Sequence, residues 1–511
     1  MQCKKASLVI NPRAGENLAK ITDILAVLAA AGWKTKIAIK EFGGQTMGLA
    51  AKAAEDGYDL VIGYGGDGTL NQVVNGVMNT KGQHNIVGLI PGGTANVWAS
   101  EVGIPANPVK AALTLVNSES RKVDVGHFEI ESLTFPANPQ ENSEQSSDHP
   151  VNEKGQCRKV KPTKKARHHF LLMAGLGIDA AVMGHVSKPL KYKIGPLAVG
   201  LSAAKEMTAP HLFPIEIRAE GSGRDGEVLW KGEAIQVVIG NTRKYADVVQ
   251  MTPNAYIDDG VLDVTVITAG DPLSTMQQIT SLLLRRKPDN MTTENFHGSH
   301  LTMSVPASID LQLDGSAVQL KDYLSKADRK ALAQADAEQV MVNYRFNAMP
   351  KALRIAIPNT YNDALFEKAH LADSEQAAQA DHEREQQEKE AQSAEENTTH
   401  HDEKRTEEEQ QKELEQVKMF LENGRKVKII GAAPNPEKKD TYIVAGETTK
   451  EMTGEAKPVA VCIDDNTTII KRTGEHVTSA IVRELEEGGA MVVEGKKSNR
   501  GVIRASRVVV I

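Results

Sequence analysis

The sequence predicts an α/β protein in four parts: a parallel α/β lobe, a mostly antiparallel second lobe, a charged linker and a small C-terminal β-barrel. Three observations carry the prediction. Short apolar strands alternate with helices up to about residue 117, the pattern of a parallel sheet covered on both faces. From about 170 to 315 the strong signals are strands separated by turn residues, as in an antiparallel lobe. Beyond an acidic stretch, the chain returns to short β-like runs. The expected divisions are 1–125, 126–360 with a polar insertion at 131–167, the linker at 371–418, and a small OB-like β domain at 424–511.

Residues 6–11 (ASLVIN) form an apolar run ended by Asn11-Pro12, a buried strand. Residues 17–31 place Leu18, Ile21, Ile24, Leu25 and Leu28 at helical spacing, and Gly32 stops the helix. A strand at 34–39, a helix at about 46–56 and a strand at 58–62 follow. Residues 69–78 read as a helix, 86–90 as a strand and 108–117 as a helix. In the second lobe the strands are expected at 170–174, 213–218, 227–230, 234–239, 261–267 and 308–313. The insertion is Ser-, Asn- and Pro-rich and ends in the basic run Arg158, Lys159, Lys161, Lys164, Lys165 and Arg167; it reads as a solvated loop. The linker is rich in Glu, Gln and Ala with few large apolar residues, so it lacks the side chains for a core. The tail alternates at 427–430, 441–444, 459–463, 468–471, 490–493 and 508–511, and its removal with the linker is expected to leave the first 360 residues folded.

Charge and composition exclude several functions. The net charge of −7 over 511 residues is concentrated in 371–418, which alone carries about −10. The globular parts are near neutral, unlike a nucleic-acid-binding protein, and 4% aromatics provide no stacking surface for single strands. Cys3, Cys157 and Cys462 are too few and scattered for a disulfide framework or a zinc site. No run approaches the roughly 18 apolar residues of a membrane span. The N-terminus enters a strand without a leader-like segment, so a cytoplasmic protein, soluble or peripheral, is expected. A homodimer is left open by the sequence.

The strongest chemical signal is Gly65-Gly66-Asp67-Gly68-Thr69, directly after a strand and before a helix. Glycines admit a phosphate close to the backbone, and a helix N-terminus offers unpaired N–H groups. Asp67 supplies a carboxylate for Mg²⁺ or for polarising a hydroxyl. The segment 63–68 also satisfies GxGxxG, but the dinucleotide fingerprint wants an acidic residue about 20 positions on. Residues 80–93 contain no Asp or Glu, and the dinucleotide reading fails. Asn11-Pro12-Arg13-Ala14-Gly15 and Pro91-Gly92-Gly93-Thr94-Ala95-Asn96 end two other strands, so a parallel sheet brings all three loops to its carboxyl edge, where such sheets bind ligands.

With these motifs in order, the chain resembles the bacterial diacylglycerol kinase-like lipid kinases, related to sphingosine kinases, over about residues 4–360. The resemblance rests on NPRAG (11–15), GGDGTLN (65–71), PGGTAN (91–96), KVDVG (122–126), KIGPL (193–197), PNAYIDDGVLDV (253–264) and LQLDG (311–315). It implies a first lobe that binds ATP with Mg²⁺, a second lobe built as a β-sandwich, and a membrane lipid substrate entering the cleft between them. ATP is then carried by Asn11, Pro12, Arg13, Ala14 and Gly15, by Gly65, Gly66, Asp67, Gly68, Thr69, Leu70 and Asn71, and by Thr94. A structural Mg²⁺ maps to Asp259 with the carbonyls of Tyr256 and Val261. The catalytic carboxylates are Asp314 and Asp67, with Asp314 as proton acceptor.

Three positions depart from the family pattern. Lys40 stands where a nucleotide-contacting Thr is common, Gln72 where a Glu often follows GGDGTxN, and Ser316 where Leu-Asp-Gly is often followed by Glu. The expected reaction is in-line transfer of the γ-phosphoryl group to a lipid hydroxyl, diacylglycerol above others, at the inner face of the membrane as a peripheral protein. The alternatives are an NAD kinase-like enzyme, whose Asn-Asn-Glu segment is absent from 96–130, and a catalytically silent nucleotide- or lipid-binding protein. Arg13, Arg243 and Lys244 are candidate phosphate or head-group neutralisers, and 189–207 a candidate lipid-facing surface. His168-His169 and His400-His401 lie in polar segments without ligand partners.

Overall fold

Apolar residues on both faces of a strand require cover on both sides, and the first lobe is built that way. β1 (Lys5–Ile10), β3 (Leu60–Gly65) and β4 (Ile86–Pro91) are buried at nearly every position. With β2 (Lys34–Ile39) they pair in parallel in the order β2-β1-β3-β4. The connecting helices are α1 (Ile21–Ala30), α2 (Gln45–Glu55), α3 (Asp67–Met78), α4 (Val97–Glu101) and α5 (Pro108–Val116). α2 and α3 cover one face and α1 and α5 the other. Local chemistry sets the helix starts: Asn107 accepts from the amides of Val109 and Lys110, with Pro108 at the first helical position. A computed structural model describes residues 3–13, 20–80, 85–136, 156–161, 166–177, 212–220, 226–245, 249–268, 293–367 and 415–511, the last span with breaks at 423, 436–437, 439, 450–455, 474, 486–487 and 499–501.

The second lobe contains β5 (Ser118–Thr134), β6 (Cys157–Lys159), β7 (His169–Phe170), β8 (Met173–Gly177), β9 (Phe213–Ala219), β10 (Glu227–Ala234), β11 (Gln236–Gly240), β12 (Lys244–Tyr245), β13 (Val249–Gln250), β14 (Leu262–Ile267), β15 (Thr293–Gly298), β16 (His300–Pro306), β17 (Leu311–Leu313), β18 (Ser316–Val318), α6 (Lys326–Gln334) and β19 (Met341–Pro358). β19 pairs antiparallel with β5 and parallel with β4 at Arg354 and Ile355. One sheet therefore runs through both lobes, β10-β9-β16-β19-β4-β3-β1-β2, with β5, β6 and β7 branching from it. A second sheet, β15-β14-β11-β8-β17-β18, closes the sandwich over Phe128, Phe170, Phe346, Leu176, Ile239 and Val264.

The structure differs from the sequence reading in instructive places. β5, β15, β16 and β19 were not expected: β5 carries charged residues on its outer face, and β19 is interrupted by Pro350 inside a bulge between Met349 and Leu353. The strand expected at 170–174 is broken at Leu171 and Leu172, whose amides turn toward Asp314. The insertion expected as a loop begins in the sheet and returns to it at 157–159, with Ser132 paired to Lys159, and only 137–155 and 162–165 lie outside the described residues.

The tail strands are β20 (Arg425–Pro434), β21 (Tyr442–Thr449), β22 (Ala456–Ile463), β23 (Thr468–Lys471), β24 (His476–Val477), β25 (Ala490–Lys497) and β26 (Val502–Val510). The ring β22-β21-β20-β25-β26 closes through pairing of β26 with β22, the barrel expected from the alternation. The last residues of the expected linker, 415–418, belong to a helix over 415–422 that buries Val417 against Ile470 and Val509. Ala433, Ile443, Ala445 and Ala460 share a core with Ile24 and Val109, and Lys20 Nζ meets Glu447 at 2.9 Å. Removing the tail would expose that apolar face of α1 and α5, so the packing argues against the dispensable tail expected from sequence.

Candidate active site

The three loops meet at the carboxyl edge, as the strand order requires. Asn11 Nδ2 donates to Thr69 Oγ1 (3.3 Å), and the Gly92 amide donates to the Gly65 carbonyl (3.0 Å). A Cβ on Gly93 would lie 2.5 Å from Gly66 Cα, so these glycines are required by the approach of one loop to another. Helix α3 starts two residues earlier than expected, which places Asp67 in its first turn. The Asp67 carboxylate accepts from the amides of Val97 (3.0 Å) and Trp98 (3.2 Å), tying the third loop to the second and capping α4. Gly68 faces the second lobe: a Cβ there would lie 3.1 Å from Ser316 Oγ. Leu70 is core, Thr94 and Arg13 are exposed, Pro12 is partly buried, and Ala14 and Gly15 lie outside the described residues.

One and two turns into α3, Asn71 and Asn75 share a face by their i,i+4 spacing and join the lobes. Asn71 Nδ2 donates to Asp314 Oδ2 (2.8 Å) and to the His169 carbonyl (2.9 Å). Asn75 Nδ2 donates to the same carbonyl, and its Oδ1 accepts from the amides of His168 and His169. Arg167 Nη1 donates to Asn71 Oδ1 (3.2 Å) and Nη2 to the Ala317 carbonyl (3.2 Å). Asp314 sits in the β17–β18 turn with φ 45° and is 4% exposed. Its oxygens accept from Leu171, Leu172 and Met173 amides at 2.9–3.0 Å and from Asn71, filling the four acceptor sites of a carboxylate. Burial raises its proton affinity, and the four donors oppose that rise.

The acidic turn at 258–263 is the opposite environment. Asp259 Oδ1 accepts from the Val261 amide at 3.0 Å, while burial and the neighbouring Asp263, Asp124 and Glu367 push its pKa up to about 7. Tyr256 lies beneath the Arg243 guanidinium, 4.7 Å from the ring centroid. Among the described residues no three His, Cys, Asp or Glu side chains converge at metal-binding separation. A carboxylate oxygen in a turn crowded by other carboxylates nonetheless fits the donor chemistry of a hard cation.

Several site residues were missed from sequence. Arg167 reads there as the end of a solvated basic run, and His168-His169 as unremarkable. Instead the His127 ring stacks on His168 with centroids 5.8 Å apart and lies tilted against His169 at 5.1 Å, and burial brings His169 down to about 3. His169 also borders a cavity of about 950 Å³ with His127, Glu129, Glu220 and Arg345. Only the recurrence of Asn at 71 and 75 on one helical face could have signalled the network. The Arg243 guanidinium donates to the Ala255 carbonyl within the second lobe, while Lys244 contacts Ser100 and Glu101 and so serves the lobe junction. The Gln72 carbonyl oxygen is buried without a partner. Residues 189–207 and His400-His401 lie outside the described residues.

The diacylglycerol kinase catalytic domain family matches residues 5–128, the loops and α3, and the family of YegS C-terminal NAD kinase beta sandwich-like domains matches 173–357. Residues 5–128 belong to the diacylglycerol kinase catalytic-domain family. Membership makes the chain a kinase, an enzyme of the phosphotransferase class. A Staphylococcus saprophyticus diacylglycerol kinase is 26% identical over 334 residues, 63% of this chain and 94% of that protein. The Bacillus subtilis diacylglycerol kinase is 26% identical over 315 residues, 61% of this chain and 89% of its own. A Bacillus anthracis crystal structure assigned as a diacylglycerol kinase superposes with TM-score 0.50 at 20% identity, over 70% of this chain and 97% of its own, a likeness of fold. The family matches end at 357, before the helix at 415–422 and the barrel of this kinase.

Proposed function

We propose that the protein is an ATP-dependent lipid kinase that transfers the γ-phosphoryl group to the hydroxyl of a membrane lipid, diacylglycerol above others, giving phosphatidic acid. The observation that carries the reading is the junction at α3: one helix holds the phosphate-approach loops through Asp67 and the second-lobe carboxylate Asp314 through Asn71. The backbone of 11–15 and 65–71, with Thr94, would cradle the nucleotide phosphates. Mg²⁺ at the nucleotide would neutralise phosphate charge, with Asp67 as the carboxylate nearest the proposed phosphate loops. Phosphoryl transfer through a loose transition state depends mainly on positioning and charge neutralisation, which a pre-ordered junction supplies.

Asp314 is the proposed proton acceptor. Because its four acceptor sites are filled, a substrate hydroxyl must replace one donor, and Asn71 Nδ2 is the only side-chain donor among them. A side-chain amide can rotate aside where three successive backbone amides cannot. Asp259, with the carbonyls of Tyr256 and Val261, would hold a structural Mg²⁺. Among the described residues no helix is long and apolar enough to cross a membrane; peripheral contact at the cytoplasmic face would bring the enzyme to its lipid.

The test is incubation of the full chain with Mg-ATP carrying labelled γ-phosphate and micellar diacylglycerol, sphingosine, ceramide or undecaprenol, with Asp314→Asn as control. Label in one lipid, lost in the variant while ATP still binds, is the expected result. No transfer to any of them, with ATP bound, would reject the reading and leave a silent binder, to which Gln72, whose buried carbonyl oxygen lacks a partner, and Ser316 would then point.

A further inference from the structure

A second basic site lies at the opposite, amino edge of the parallel strands. There a cavity of about 310 Å³ is bordered by Val77 near the end of α3, Asn85 before β4, and Lys122, Lys351, Leu353 and Arg354. Lys122 and Arg354 are direct register partners in the antiparallel β5–β19 pair, so they project from the same face. Like charges placed directly opposite repel, and a strand pair normally avoids that arrangement.

A third cation joins them by an unusual backbone route. In the bulge, the register passes from Met349 opposite Val125 to Leu353 opposite Val123, and Lys351 adopts φ 50°, the left-handed region that a non-glycine residue rarely enters. Its amide is fixed there by Asp124 Oδ1, while Asp124 Oδ2 accepts from the Gly260 amide. Asp124 is fully buried beneath the bulge, with both oxygens engaged by backbone amides. Among the described residues, no carboxylate lies within ion-pair distance of the Lys122, Lys351 or Arg354 side chains. Three cations thus border one cavity on a backbone conformation that costs energy to hold, and the opposite charge that acts on Lys351, Asp124, lies buried beneath the bulge with both oxygens already engaged by amides.

We propose that this pocket binds a phosphate-bearing anion. A guanidinium fork and two ammonium groups match the charge and acceptor geometry of a phosphate dianion. The cavity is near the lower end of small-ligand sites, the size of a phosphomonoester or a phospholipid head group. The site stands apart from the nucleotide loops and does not depend on the catalytic reading above.

The test compares three full-length proteins: wild type, Lys122→Gln/Arg354→Gln, and a control, Lys34→Gln/Lys36→Gln, in which two cations of β2 are neutralised. Each is titrated with inorganic phosphate and with a short-chain phosphatidate kept below its micelle concentration, reading heat of binding and thermal midpoint. The expected result is a binding event in wild type and control that weakens by at least about tenfold in Lys122→Gln/Arg354→Gln, since two charge-assisted contacts are lost. Without anion, that double variant is expected to melt no lower than wild type, because a repulsive pair has been removed. Comparable affinity for the two probes would assign the site to free phosphate, and much tighter phosphatidate binding with the same loss would assign it to a lipid head group. The same phosphate and phosphatidate response in all three proteins, or none in wild type, would overturn the proposal.

Discussion

Asp314 and Asp259 are both half-hidden or hidden carboxylates on turns of the second lobe, yet their surroundings are opposite. Asp314 is met by three backbone amides and one side-chain amide, and every acceptor position is used. Asp259 is met by one amide and by the charges of Asp263, Asp124 and Glu367, which drive its pKa up to about 7. Burial disfavours a charge in both places, and what differs is the compensation. The first site has every acceptor filled and acts as a strut between lobes; the second leaves a carboxylate among like charges, which is where the proposed cation would be held.

The largest expected effect is at the strut. Asp314→Ala strands three backbone amides and the Asn71 amide, and should lower unfolding stability by about 3–5 kcal/mol, read from urea midpoints. A midpoint unchanged from wild type would show that Asp314 does not hold the lobes. Next, Mg²⁺ at about 100 times its dissociation constant should stabilise wild type by about 2.7 kcal/mol and leave Asp259→Asn unmoved. Equal stabilisation of both proteins would place the ion elsewhere.

Arg167→Met should keep the fold but free the Asn71 amide to rotate, slowing phosphoryl transfer by about 10- to 100-fold with little change in ATP binding. A loss confined to ATP affinity would instead make Arg167 a nucleotide contact. The pH dependence sharpens the comparison further. Because the folded pKa of Asp259 lies above its ordinary value of 3.8, the native state binds this proton more tightly than the unfolded chain. Its contribution to stability therefore falls as pH rises from about 4 to 7 in the absence of divalent cations. Asp263, raised to about 6, acts in the same sense, and His169, lowered to about 3, in the opposite one. The measured quantity is accordingly the difference between wild type and Asp259→Asn, which should shrink when Mg²⁺ is added. The smallest effect is expected for Glu447→Gln, which breaks a partly exposed ion pair with Lys20 and should cost no more than about 1 kcal/mol.

Strand–helix alternation, the three glycine- and asparagine-bearing loops and the closed tail barrel were legible in the sequence, because each is set by local periodicity and turn chemistry. Strand order then required the loops to share one edge, and Asn11, Thr69, Gly65 and Gly92 do meet there. The long strands β5 and β19 were not legible. Charged residues recur along β5, and Pro350 breaks the alternation of β19 at the very bulge that joins the lobes.

By itself, the sequence determined the parallel lobe, the edge at which the three loops gather, and the family motifs that make the chain a kinase. Tertiary structure alone decided that Arg167 leaves a basic run to hold Asn71, that Asp314 is saturated while Asp259 is crowded, and that the barrel shares a core with α1 and α5. The reason is physical. Periodicity reports which face of a segment is apolar, but the proton affinity of a buried group depends on donors and charges brought to it from residues tens to hundreds of positions away. Asn71 and Asp314 are 243 residues apart.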